Sequence, residues 1–209
     1  MEGASSEADI VLDFEGGYIN QVSDSLEVLS DFDESMYCED LLDPDDRYFP
    51  FSRESACIAT NDNILSERGI PTPTSYQDLL DPVYAGVVSM PNPKTSGTGY
   101  NFLKSLVNAW GEDAAFDYFD ALAENVYQFT SSGSGPVNAL VQGEAAVGLG
   151  MTYHAVSEIN EGAPLSVHFF EEGSPWDVYG SGIIQGRAGR QAVHDVFGWL
   201  CTEGVRIDN

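Results

Sequence analysis

The sequence predicts an α/β protein. Short β-prone apolar runs alternate with amphipathic helical stretches along nearly the whole chain, and the links between them are rich in Gly, Ser, Thr and Pro. Hydrophobic residues make up 43% of the 209, enough to build sizeable cores. Strand–helix alternation of this kind argues for largely parallel sheets with crossover helices on their faces.

Each element has its own local warrant. ADIVLDF (Ala8–Phe14) is an apolar run closed by Glu15-Gly16-Gly17, a buried strand and a glycine turn. Ile19, Val22, Leu26 and Leu29 share one helical face, which predicts a helix over 18–29. Residues 30–50 are acidic and turn-rich and read as a solvated connection. SACIATND (Ser55–Asp62) is strand-like, and residues 63–69 form a short helix stopped by Gly69. Ile70-Pro71-Thr72-Pro73 is an extended link, after which Ser75 caps a helix-like SYQDLLD.

GVVSMP (Gly86–Pro91) is a strand that runs directly into PNPKTSGTGYNFLKSL (Pro91–Leu106). There Pro91 and Pro93 hold the entry extended, and Thr95, Ser96 and Thr98 are N-cap types. Tyr100, Phe102, Leu103, Leu106 and Val107 follow at helical spacing. Residues 113–125 form an amphipathic helix with Phe116, Phe119 and Leu122 on its apolar face. VYQFT is a strand, SSGSG a loop, and Pro136 takes a favoured first position in the helix VNALVQG. AAVGLG is the next strand and leads into MTYHAVSEI. SVHFF (Ser166–Phe170) is a strand, EEGSPWDVYG a loop and SGIIQG another strand. A final helix over 190–203 places Val193, Phe197, Trp199 and Leu200 largely on one side.

Charge narrows the function. Asp and Glu total 34 against 8 Lys and Arg, a formal net charge of −26. Nucleic-acid binding neutralises phosphates with Lys and Arg, which are scarce and scattered here, so no nucleic-acid partner is expected. The same field opposes an anionic membrane surface. An anionic ligand would need a local pocket of oriented N–H donors. The first residues, MEGASSEADI, lack the basic and apolar regions of a signal peptide, and no apolar run approaches a membrane span. Cys38, Cys57 and Cys201 have no C-x-x-C spacing; three buried thiols are expected, with one bridge as the alternative.

Catalytic signatures are missing. The sequence has no G-x-S-x-G, P-loop, G-x-G-x-x-G or H-E-x-x-H motif, and neither a catalytic residue nor a cofactor is assigned. His168 alternates with apolar neighbours in a strand and His194 sits in the final helix, so both read as structural. What stands out is a pair of loops. TSGTGY and SSGSGP each follow a strand and precede a helix, and a third such loop follows AAVGLG. Helix starts facing one space supply converging N–H and hydroxyl donors, a receptor for phosphate, phosphonate or carboxylate. Either loop alone is equally an ordinary turn.

The same stretches resemble the extracellular solute-binding proteins of ABC transporters, in the branch that binds ferric iron, thiamine, phosphonates and sugar phosphates. The resemblance runs through ADIVLDFEGG, SACIATNDNIL, IPTPTSYQDLLDPVYAGVVSMPNPKTSGTGYNFL, WGEDAAFDYFDALAENVYQFTSSGSGPVNALVQGEAAVGLG and SGIIQGRAGRQAVHDVFGWLCTEG, most of residues 8–204 in order. It implies a two-lobed periplasmic-binding-protein-like fold (type II) with the ligand buried between the lobes, and a non-catalytic role. The first lobe would be residues 1–62 with 178–209 and the second 63–177. Ser96, Gly97 and Thr98 would bind the anionic group of a small solute, Ser132, Gly133 and Ser134 would add donors, and Thr152 and Tyr153 would complete the site. No metal ligand is assigned.

The resemblance also implies delivery to a membrane permease and an extracellular or periplasmic location, lipid-anchored in a full-length protein. Iron-binding members carry a tyrosine pair where this chain has Tyr153-His154, which weakens the ferric-iron alternative through Tyr153, His154 and Glu15. Glu15 is otherwise a turn carboxylate. Trp176 and Asp177 either line the ligand space or pack their loop. Members of the family open with a strand, a helix and a second strand ahead of ADIVLDF, so the first lobe is expected to be incomplete. That fits a piece of a longer protein, or a homologue turned to sensing or protein contact.

Overall fold

The computed structural model describes residues 8–208; residues 1–7, most of the stretch read as lacking signal-peptide regions, lie outside the described residues. The chain divides into two compact units, Glu54–Trp176 and Met1–Arg53 with Asp177–Asn209.

The larger unit is built on one sheet, ordered β6, β2, β5, β3, β4. Its strands are β2 (Phe49–Asn61, which begins in the smaller unit), β3 (Val88–Pro91), β4 (Val126–Thr130), β5 (Val147–Met151) and β6 (Leu165–His168). Only β3 pairs in parallel, with β4 and β5; β2 is antiparallel to both its neighbours within the unit. The sheet is therefore mixed, not largely parallel, because β2 enters from the other unit in the opposite direction.

Helices cover both faces. One face carries α3 (Gly97–Trp110) and α4 (Glu112–Ala123), packed through Phe102, Leu106, Ala115, Tyr118 and Leu122. Burying a side chain such as Phe102 contributes about 2–3 kcal/mol. The other face carries α5 (Gly135–Val141) and α6 (Thr152–Asn160), packed through Val137, Leu140 and Ala155 on Cys57 and Ala59. α2 (Asp62–Arg68) is capped by Asn61, whose Oδ1 accepts from Ile64 N at 3.1 Å, and ends at Gly69 in the left-handed conformation. SYQDLLD forms a 3-10 turn instead of a full helix, with Ser75 Oγ accepting from Asp78 N at 3.1 Å. On α4 the buried face is Ala115, Tyr118 and Leu122, leaving Phe116 48% exposed. Tyr118 orients the helix by donating its hydroxyl to Tyr76 O at 3.0 Å, a contact invisible to periodicity.

In the smaller unit β1 (Ile10–Glu15) pairs antiparallel with β7 (Trp176–Ile183), which starts inside the stretch read as a loop. α1 (Gly16–Val22) is shorter than the expected 18–29 helix. Serines near its end compete for the backbone: Ser23 Oγ donates to Asn20 O at 3.0 Å, and the chain leaves as a 3-10 turn. Leu26 and Leu29 are buried all the same, from extended backbone tied by Glu27 N to Ile183 O at 2.8 Å.

Residues 30–50 are less solvated than expected, because Tyr37, Leu42 and Phe49 pack on the core around Phe197. The last helix is α7 (Gln191–Trp199), a π turn (Leu200–Gly204) and α8 (Val205–Asp208). Val193, Phe197 and Cys201 face inward, whereas Trp199 is 51% exposed. All three cysteines are free; Cys57 and Cys201 are buried but Cys38 is exposed, against expectation. Among the described residues no helix is long and apolar enough to cross a membrane.

One polar network ties β6 to the rest of its sheet. Thr60 Oγ1 donates to Asp62 Oδ1 at 2.9 Å, so its lone pair receives His168 Nε2–H at 2.9 Å, while Ser166 Oγ donates to Asp62 Oδ2 at 2.6 Å. Burial lowers the His168 pKa from the ordinary 6.5, against an opposing pull from Asp62. A depressed histidine pKa means the unfolded chain binds the proton more readily, so stability falls as pH drops through the unfolded value. His168→Gln, which keeps a donor, should lose less stability than the wild type between pH 7.5 and pH 5, read as the difference in urea midpoints. An equal loss in both would contradict this. Separately, at −26 net charge, raising KCl from about 0.1 to 1 M shortens the screening length from ~10 to ~3 Å and should raise the melting temperature.

Candidate functional site

Three helix starts of the larger unit meet at one end of its sheet. The first follows β3. Asn92 N donates to Thr130 O at 2.8 Å, tying this loop to the end of β4. Ser96 is the buried N-cap of α3, its Oγ accepting from Gly99 N at 3.4 Å. The N–H groups of Gly97 and Thr98 come ahead of the first intrahelical bond, Tyr100 N to Ser96 O at 2.9 Å. Gly99 lets the helix start sit against the strand, since a Cβ there would be 2.5 Å from Pro91 O.

The second start follows β4. Thr130 Oγ1 donates to Ser132 O at 2.8 Å, and the hydroxyls of Ser132 and Ser134 lie 3.2 Å apart. Gly133 is where the loops touch. A Cβ built on it would fall 2.1 Å from Thr98 Oγ1 and 2.9 Å from Met151 Cγ. Its carbonyl accepts from Met151 N at 3.2 Å, which fixes the third start, that of α6 after β5.

At that third start Thr152 is the first helical residue, and its Oγ1 is buried without a hydrogen-bond partner. The nearby Cys57 thiol is pushed up to about 11 by burial, with the Thr152 hydroxyl acting weakly the other way. A thiol is a weak partner, so the Thr152 hydroxyl keeps its capacity for a stronger one. Tyr153 is 74% exposed. His154 Nε2 is engaged at 2.8 Å with Asn138 Oδ1 and lies 3.9 Å from Glu158.

Electrostatics separates these three helices from others in the unit. Acidic side chains favour helix N-termini, where the backbone carries partial positive charge. α2 and α4 follow that rule with Asp62 and with Glu112 and Asp113. The first turns of α3, α5 and α6 hold no acidic residue, although the chain has 34. Both lysines of the chain, Lys94 and Lys104, sit in the loop before α3 and along it. The partial positive charge of these three helix starts is thus left without an acidic side chain in the first turn.

All of Ser96, Gly97, Thr98, Ser132, Gly133, Ser134, Thr152 and Tyr153 therefore belong to one unit, while Glu15 and Asp177 belong to the other. Trp176 opens β7 and is half exposed. The sequence reading missed Glu172 and Ser174, in the loop after β6. Glu172 Oε2 and Ser174 Oγ are both buried without partners. Ala56 N donates to the adjoining Pro175 O at 2.9 Å and Ala56 pairs with Met151, so this loop lies at the same end of the sheet. The Glu172 charge adds to burial in raising the Tyr76 hydroxyl well above its usual range. Two polar residues in a Gly/Pro loop give no sequence signal of burial. Among the described residues no group of three or more His, Cys, Asp or Glu side chains could hold a metal ion.

Comparison with known proteins agrees with this architecture. Residues 13–183 match the family model described as bacterial extracellular solute-binding protein. An uncharacterised protein of Haemophilus influenzae is 36% identical over 130 residues, 62% of this chain and 38% of its own length. The periplasmic binding protein AfuA from Actinobacillus pleuropneumoniae, solved with exogenous fructose-6-phosphate bound, superposes with a TM-score of 0.81 at 25% identity. That match covers 96% of this chain and 65% of AfuA, so the chain spans less than two thirds of these relatives. Iron-bound HitA from Pseudomonas aeruginosa has the same fold, with a TM-score of 0.80 at 17% identity over 98% of this chain and 68% of HitA. The chain belongs to the bacterial extracellular solute-binding protein family, a family of binding proteins and not of enzymes.

Proposed function

We propose that the chain holds the anionic group of a small solute, a phosphorylated sugar in the first instance, at the junction of α3, α5 and α6. The observation that carries this reading is the meeting of three acid-free helix starts at Gly133 in a chain of net charge −26. Gly97, Thr98, Gly133 and Ser134 offer backbone N–H groups, and Ser96, Thr98, Ser132 and Thr152 offer hydroxyls. Tyr153 contributes an exposed ring and phenol beside them. No proton transfer or bond cleavage is required; the donors replace the water shell of the anion.

Glu172 and Ser174 extend the reading from an anion to a sugar. A carboxylate accepts only, and its unpartnered oxygen is suited to hydroxyl donors of the solute. The fructose-6-phosphate bound to AfuA combines the same two chemistries. In the intact protein the solute would pass to an ABC-transporter permease, from a periplasmic or extracellular, lipid-anchored binding protein. A sensing role on the same fold would use the same site, and flanking sequence would separate the two. The ferric-iron alternative has less support, because the His154 ring is already engaged by Asn138 and Glu158.

Thermal unfolding with fructose-6-phosphate, inorganic phosphate and ferric citrate tests the proposal. A ligand at ~100 times its Kd should stabilise the native state by about 2.7 kcal/mol. Fructose-6-phosphate should raise the melting temperature, and Ser96→Ala/Thr98→Ala should abolish the shift. Gly133→Ala should abolish it too and lower stability on its own, since Thr98 must move aside. A full shift retained in both variants would refute the site.

A further inference from the structure

A second feature of the larger unit has the form of a binding site. A groove of about 450 Å³ runs between β4, the outer strand of the sheet, and the flank of α5. That size lies within the ~300–1,000 Å³ of small-molecule sites. Its chemistry differs from that of the helix-start junction. Gln128, Asn138 and Gln142 supply side-chain amides, Ser131 a hydroxyl and Glu144 a carboxylate.

The lining contains no Lys, Arg or His. A carboxylate without a cation disfavours an anion, and one carboxylate is too few for a divalent metal. An apolar ligand would strand the amides. An amide donates and accepts at once, so amides spaced along a groove match a ligand whose groups do both. Vicinal hydroxyls of a neutral sugar have that property. Asn138 is already oriented for it: its Oδ1 is bonded to His154 Nε2 at 2.8 Å, which leaves the amide hydrogens for the groove. The side chains of Gln128 and Gln142 make no hydrogen bond among the described residues.

We infer that this groove binds a neutral saccharide, at a site that adjoins the anion junction at Ser132 but is separate from it. The groove belongs to the β4–α5 flank alone and does not depend on the anion reading.

The test is NMR of the full chain, following the side-chain amides of Gln128, Asn138 and Gln142 during titration with glucose, maltose and trehalose, and separately with inorganic phosphate. At least one sugar should move these resonances saturably and phosphate should not. Gln128→Ala/Gln142→Ala removes two exposed side chains and should weaken that sugar at least tenfold. Three results would overturn the inference: no saturable shift with any of the sugars, shifts confined to residues 96–98, or an affinity unchanged in the double variant.

Discussion

The contact between Gly133 and Thr98 is the constraint on which the site depends. A Cβ on residue 133 would fall only 2.1 Å from Thr98 Oγ1, so the loops approach this closely because residue 133 is glycine. That contact brings the start of α5 onto the start of α3, and the bond from Met151 N to Gly133 O adds the start of α6. Three strands of one sheet, β3, β4 and β5, thereby end in a shared patch of helix-start N–H and hydroxyl groups. In open α/β sheets the space beyond the carboxyl ends of the strands is where ligands bind, for the same geometric reason.

Charge gives this convergence its meaning. A chain at −26 repels anions over most of its surface, and its helix starts would ordinarily gain from Asp or Glu. α2 and α4 take that gain; α3, α5 and α6 forgo it. Forgoing it at three adjoining places leaves backbone dipoles available to a ligand. The unpartnered oxygens of Thr152, Glu172 and Ser174 at the same end of the sheet repeat the pattern, because buried polar atoms normally have partners.

Much of this was legible in the sequence, and the failures have physical causes. Strand–Gly/Ser loop–helix units were readable because capping residues, glycine and apolar spacing are local signals, and they put Ser96, Thr98 and Ser132 to Ser134 at helix starts. The antiparallel course of β2 was not readable, since strand direction is set by connections between distant segments. The 18–29 helix was over-extended because Leu26 and Leu29 are buried at helical spacing from extended backbone. Phe116 and Trp199 were assigned to buried faces by periodicity, yet both are half exposed, and periodicity cannot sense a side-chain bond such as Tyr118 to Tyr76. Glu172 and Ser174 were missed because only the fold removes them from water.

The most direct test of the convergence is backbone amide NMR during titration with fructose-6-phosphate. The amides of Gly97 and Thr98, of Gly133 and Ser134, and of Thr152 and Tyr153 should move together with one apparent Kd. Shifts at only one of the three helix starts, or three different midpoints, would mean that the loops meet without forming a single site.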